Sequence, residues 1–77
     1  MEDPLIAVFS EVLNIPAEKL SDKTSPANTS QWDSLAAMHL VAAIEDKFQV
    51  HLTTKEIMKM SSIGFARQAL LEKKRQS

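Results

Sequence analysis

The chain has 77 residues, 44% hydrophobic and 25% charged, which describes one soluble globular domain at most, of a size that buries only about 60–65% of its unfolded surface. It contains no cysteine, so disulfides, thiolate metal sites and a thiol nucleophile of its own are excluded, and its net charge of −1 argues against strong nonspecific nucleic-acid binding. No apolar run approaches the roughly 20 residues of a membrane span and the N-terminus lacks a signal pattern, so the expected compartment is the cytoplasm.

Asp3-Pro4 predicts the first helix: an N-cap carboxylate followed by proline at the first helical position, where its missing N–H costs nothing. Leu5, Val8, Phe9 and Val12 then recur along one face, and Pro16 is expected to end the helix. From about Ile15 to Gln31 runs a long connection rich in Ser, Thr, Asn and Pro, with Ile15 and Leu20 as its expected anchors. A connection beyond about 12–15 residues is usually functional or mobile.

The second helix is predicted from about Ser34 to Phe48. Ala37, Val41, Ile44 and Phe48 share the stripe expected to face the core, with Leu40 on its flank. Leu35, Met38 and Ala42 project away from that stripe, beside His39 and Asp46. Such a strip is either a docking surface or a face covered by a neighbouring loop.

Thr53 and Glu56 have capping-box spacing ahead of Ile57 and Met58, which predicts a short third helix. Ser61 or Ser62 caps a fourth, in which Ile63, Ala66 and Leu70 keep helical spacing and Gly64 costs little. Residues 1–50 hold eight acids against three lysines, and residues 51–77 hold two acids against six cations. The terminal cations Lys73, Lys74 and Arg75 read as a solvated last helical turn. No segment alternates with period two. The fold class is therefore all-α: a small antiparallel four-helix bundle, three longer helices and one short, with a long loop between helices one and two.

Catalytic chemistry finds little support. His39 and His51 have no metal-ligand spacing to an acid and no nucleophile partner in sequence; the adjacent Glu45 and Asp46 face different directions on a helix; the methionines read as core filler. No catalytic or metal site is expected. One stretch remains, Trp32-Asp33-Ser34-Leu35, at the junction of the long loop with the second helix. A phosphate esterified to Ser34 would face the helix N-terminal N–H groups and the positive end of the macrodipole, with Asp33 in front of it. Capping alone would also account for these residues, with Asp33 as N-cap and Ser34 at N1, or with Ser30 as N-cap and Asp33 at N3.

The segment Trp32-Asp33-Ser34-Leu35-Ala36-Ala37-Met38-His39-Leu40-Val41 resembles the attachment motif and second helix of acyl carrier proteins. Ile15-Pro16-Ala17-Glu18-Lys19-Leu20 resembles the start of that family's long loop, Ala43-Ile44-Glu45-Asp46-Lys47-Phe48 its helix-two ending, and Ser61-Ser62-Ile63-Gly64 the opening of its fourth helix. The resemblance covers nearly all of residues 1–77 and implies a single acyl-carrier-like domain. It implies that Ser34 receives 4′-phosphopantetheine from coenzyme A through a separate phosphopantetheinyl transferase. The arm's thiol then holds acyl groups as thioesters for acyl-transferring or acyl-activating enzymes, and the missing cysteine fits a sulfur imported with the arm. Leu35, Met38 and Ala42 match family positions that contact partners, with His39 beside them. Phe48, Ile57, Met58, Met60 and Ile63 are the candidates for an acyl-chain cleft between helices two and three. Family members of fatty-acid synthesis usually carry acids where this chain has Ala36 and His39, and a small pair where it has Gln31-Trp32. A specialised pathway is therefore expected, with a peptidyl or aminoacyl carrier or a helical interaction module without a prosthetic group as alternatives. A start at Met1 without a linker favours a stand-alone carrier over an excised module; a monomer is expected, with no nucleic-acid partner and no transmembrane segment.

Overall fold

The computed structural model describes residues 3–76. Four helices follow in chain order, α1 (Pro4–Leu13), α2 (Ser34–Phe48), α3 (Thr54–Lys59) and α4 (Ile63–Gln76), with one 3-10 turn at Ala17–Lys19, and no strand occurs among the described residues. They form a small helical bundle in which α1 packs chiefly on α2 and also on α4, while α3 packs on α4.

Asp3 caps α1, its carboxylate accepting from the N–H groups of Leu5 and Ile6 at 3.0 and 3.4 Å. The helix ends earlier than Pro16 requires. Asn14 adopts the left-handed conformation at φ 57°, and both its N–H and that of Ile15 turn back to the Ser10 carbonyl, a left-handed cap that satisfies terminal acceptors. The buried face is Leu5, Val8, Phe9 and Leu13, with Val12 only half-buried.

On α2 the predicted bounds hold, but the inward face is turned. Leu40 and Ile44 are the fully buried residues, whereas Ala37, Val41 and Phe48 are half-buried. The reason is tertiary. Val8 and Val12 of α1 share a groove with His39 and Ala43, so α1 covers that side of α2 and draws Leu40 to the centre. Ala37 and Val41 are left facing α3, which has only six residues to cover them.

The long connection is anchored by more residues than Ile15 and Leu20. Leu20, Thr24 and Trp32 are buried, and the Trp32 ring meets Phe9 edge-on, with centroids 5.1 Å apart and planes at 62°. Thr24 accepts from the Ser21 N–H through its hydroxyl and from the Ile63 N–H through its carbonyl, each at 3.0 Å. The Gly64 N–H donates to the Asp22 carbonyl at 3.0 Å, so the loop is laced to the first turn of α4. A Cβ at Gly64 would come 3.1 Å from that same carbonyl oxygen, which explains the glycine as a close approach. Arg67 completes the junction, bridging Asp3 at 2.7 Å and Asp22 at 3.0 Å.

The capping box of α3 forms: the Thr53 N–H donates to Glu56 at 2.8 Å and the Glu56 N–H to the Thr53 hydroxyl at 3.3 Å. Ser62, not Ser61, caps α4, its hydroxyl accepting from the Phe65 N–H. Lys73 is more than a solvated cation, because it pairs with Glu56 at 3.0 Å and ties α4 to α3. The side chains of Lys74 and Arg75 lie outside the described residues.

Two tests follow from this packing. Trp32→Ala removes a buried indole and its contact with Phe9, and urea unfolding should show a loss of about 3 kcal/mol or more. The hydrogen bond from Arg67, against opposing desolvation and with help from the Ile6 and Leu5 N–H groups, holds the Asp3 carboxyl below the usual carboxylate range. Its stabilisation is therefore present above the unfolded carboxylate pKa and disappears as pH falls through the lower folded value. Thermal unfolding of Arg67→Gln should lie below the parent near neutral pH and converge on it in acid.

Candidate functional site

The junction at residues 32–35 is built from two opposed requirements. Trp32 is buried against Phe9, while the next three residues are exposed. Burying the indole fixes where the loop ends. The chain then turns outward, and Asp33 takes an extended conformation as the N-cap of α2. Its carboxylate accepts from the Ala36 N–H at 2.9 Å and its carbonyl from the Ala37 N–H at 2.9 Å. Of the two capping arrangements open at the level of sequence, the one with Asp33 as cap is present, and Ser30 instead donates to the Gln31 side chain at 3.2 Å.

Ser34 is consequently the N1 residue, exposed, with no hydrogen bond to its hydroxyl among the described residues. The Asp33 side chain satisfies the N3 donor and leaves the N–H groups of Ser34 and Leu35 to solvent or to an external acceptor. No acidic residue lies in the first turn of α2, so nothing there offsets the positive end of the macrodipole beyond Asp33 itself. An exposed hydroxyl bordered by free amide donors suits an ester of phosphate.

Around this point Leu35 is 62% exposed and Met38 is 69% exposed, and Ala42 and His39 are exposed as well. The strip that projects from the predicted core stripe is thus uncovered by the long loop. One turn beyond Ser34, an apolar cleft of about 290 Å³ opens between α2 and α3, lined by Ala37, Met38, Val41 and Ile57. Of the five residues suggested by sequence for such a cleft, Ile57 lines it. Phe48 and Met60 are half-buried against the core, Ile63 is fully buried in it, and Met58 stands 78% exposed. Ala37 and Val41 escaped the sequence reading because their spacing assigned them to the core. The buried role of Trp32 escaped it because a lone tryptophan in a polar loop carries no periodic signal.

His51 lies 3.5 Å from Glu45, which also accepts from the Leu52 N–H at 2.8 Å, a loop-closing contact rather than a catalytic pair. No group of His, Asp and Glu suited to a metal occurs among the described residues.

A family model described as a phosphopantetheine attachment site matches residues 3–64. The chain belongs to the phosphopantetheine-binding acyl carrier protein family. Among curated proteins it is similar to the acyl carrier protein of Buchnera aphidicola, 27% identical over 63 residues that make up 82% of this chain and 80% of that one. It is also similar to the acyl carrier protein of Wolinella succinogenes, 29% identical over 62 residues, 80% of this chain and 82% of that one. Membership makes the protein a carrier, not a catalyst, and its prosthetic group is phosphopantetheine. No helix among the described residues is long and apolar enough to cross a membrane.

The cap that orients this junction can be tested directly. Asp33→Ala should lower stability by about 1 kcal/mol in chemical unfolding, and Asp33→Asn should recover most of that loss.

Proposed function

We propose that Ser34 is the residue to which 4′-phosphopantetheine is esterified, and that this acyl carrier serves a specialised cytoplasmic pathway rather than housekeeping fatty-acid synthesis. The observation that carries the first part is the placement of an exposed, unbonded hydroxyl at N1 of α2, directly after a buried anchor and a cap.

The hydroxyl of Ser34 is presented to a phosphopantetheinyl transferase, loses its proton and forms a phosphodiester as the nucleotide half of coenzyme A departs. The Ser34 and Leu35 N–H groups face the new phosphate, and the α2 dipole favours its charge. When bound, the group supplies a terminal thiol that holds an acyl chain as a thioester, which this cysteine-free chain cannot otherwise provide. Ala37, Met38, Val41 and Ile57 offer the arm's cargo an apolar cleft one helical turn away. This narrows the acyl-binding residues relative to the set Phe48, Ile57, Met58, Met60 and Ile63. Leu35, Met38, Ala42 and His39 form the surface that partner enzymes meet beside the arm.

The specialised role is supported by charge. From Ser34 to Ile44 the helix carries no Asp, Glu, Lys or Arg, so an enzyme that selects carriers through a basic patch finds no acid there to pair with.

Intact mass tests the attachment. Incubation with coenzyme A and a transferase should add one phosphopantetheinyl unit, and Ser34→Ala should gain nothing while keeping its helical circular dichroism. Turnover by fatty-acid-synthesis enzymes tests the pathway: it should be well below that of their own carrier. His39→Glu, an exposed change, should raise it by about two- to fivefold. Turnover of the unaltered chain equal to the housekeeping carrier would remove the specialised reading.

A further inference from the structure

Helix α3 stands between two clefts of unlike chemistry. On its α2 side lies the apolar cleft of about 290 Å³ lined by Ala37, Met38, Val41 and Ile57. On its α4 side lies a second cleft of about 290 Å³, bordered by Glu56, Lys59, Gln68 and Glu72 together with Phe65 and Ala69. Water solvates the second readily and the first poorly, so the hydrophobic effect draws α3 toward α2, where Ile57 would close over Ala37 and Val41. Little in α3 itself resists that movement, since none of its six residues is buried.

One link opposes it from the far side. The half-buried side chains of Glu56 and Lys73 pair at 3.0 Å and join α3 to α4 beside the polar cleft. The same carboxylate oxygen, Oε1 of Glu56, accepts from the Thr53 N–H at 2.8 Å, so the pair acts on the capped first turn of α3 rather than on a loose side chain. The Thr53 N–H and, after it, Lys73 hold the Glu56 carboxyl below the usual carboxylate range, which keeps it charged at neutral pH.

Resting on the reading of the α2–α3 cleft as the cargo's shelter, we propose that Lys73 is a positioning residue for that cleft: acting through Glu56, it holds α3 against α4 and keeps the cleft open before any cargo arrives. A preformed apolar site spares the cargo the work of parting α2 from α3. Loss of the pair therefore narrows the cleft, whereas a pair that fastened α3 shut over α2 would widen it when broken.

Xenon reads the cleft directly, because apolar cavities of about 150 Å³ already bind it. On the full unloaded chain, dissolved xenon should shift the methyl resonances of Ala37, Val41 and Ile57. Lys73→Met should weaken that binding by about two- to fivefold, the range open to a partly exposed ion pair. Glu56→Gln keeps a side chain suited to the capping box while removing the charge, and it should weaken xenon to the same degree. The double variant should fall no further, as expected when both residues act through one contact. Lys73→Arg should retain the parent's affinity. Arg67→Gln, which breaks an ion pair elsewhere, should lower stability without changing xenon binding. Unchanged or tighter binding in Lys73→Met and Glu56→Gln would overturn the proposal, as would an equal loss in Arg67→Gln or no xenon shift in the parent. On chains carrying octanoyl-phosphopantetheine, Lys73→Met should let hydroxylamine cleave the thioester faster by a similar factor, and an unchanged rate would overturn the role toward cargo. The xenon measurement needs no loading, so a failure of attachment at Ser34 would remove that reading and leave the Lys73 link to be judged by itself.

Discussion

The edge-on contact between Trp32 and Phe9 is the constraint on which the site depends. A large indole buried at the last position before a helix cap leaves the loop no choice about where it ends. Asp33 then caps α2 and Ser34 follows as its first residue, facing solvent. The pairing joins α1 to the far end of a connection that is otherwise polar. The exposed hydroxyl of Ser34 is therefore mounted on the rigid start of a helix rather than on a free loop.

The rest of the connection is held from the other side. The backbone bonds of Asp22 and Thr24 to the first turn of α4, and the Arg67 bridge to Asp3 and Asp22, bring the start of α1, the middle of the loop and α4 to one point. Gly64 permits that approach because no side chain stands between the two backbones. The loop thus meets the core at Leu20, Thr24 and Trp32, which lets a domain with few residues to bury keep a long irregular segment in place.

Function follows from what is left outside. A carrier needs a tether point, a surface that others can read, and some shelter for an apolar cargo. The exposed start of α2 suits the first, the charge-free strip with Leu35 and Met38 suits the second, and the incomplete cover of α2 by the short α3 opens a cleft suited to the third. A longer α3 would close that cleft, and a more acidic α2 would change which enzymes are drawn to it.

Much of this was legible in the sequence wherever the controlling residues are neighbours along the chain. The Asp3-Pro4 start, the Ser34–Phe48 span and the Thr53–Glu56 capping box depend on contacts three or four residues apart, and all three are present. The attachment motif with its flanking segments pointed to the family for the same reason. Tertiary structure alone decided that Leu40 rather than Phe48 sits at the centre and that Ala37 and Val41 line a cleft. It also decided that Trp32 is a core residue and that Lys73 is an ion-pair partner. Periodicity shows that a helix has an inward side, but how far that side is turned depends on the area that remote helices bring against it. For α2 those are a well-fitted α1 on one flank and an undersized α3 on the other.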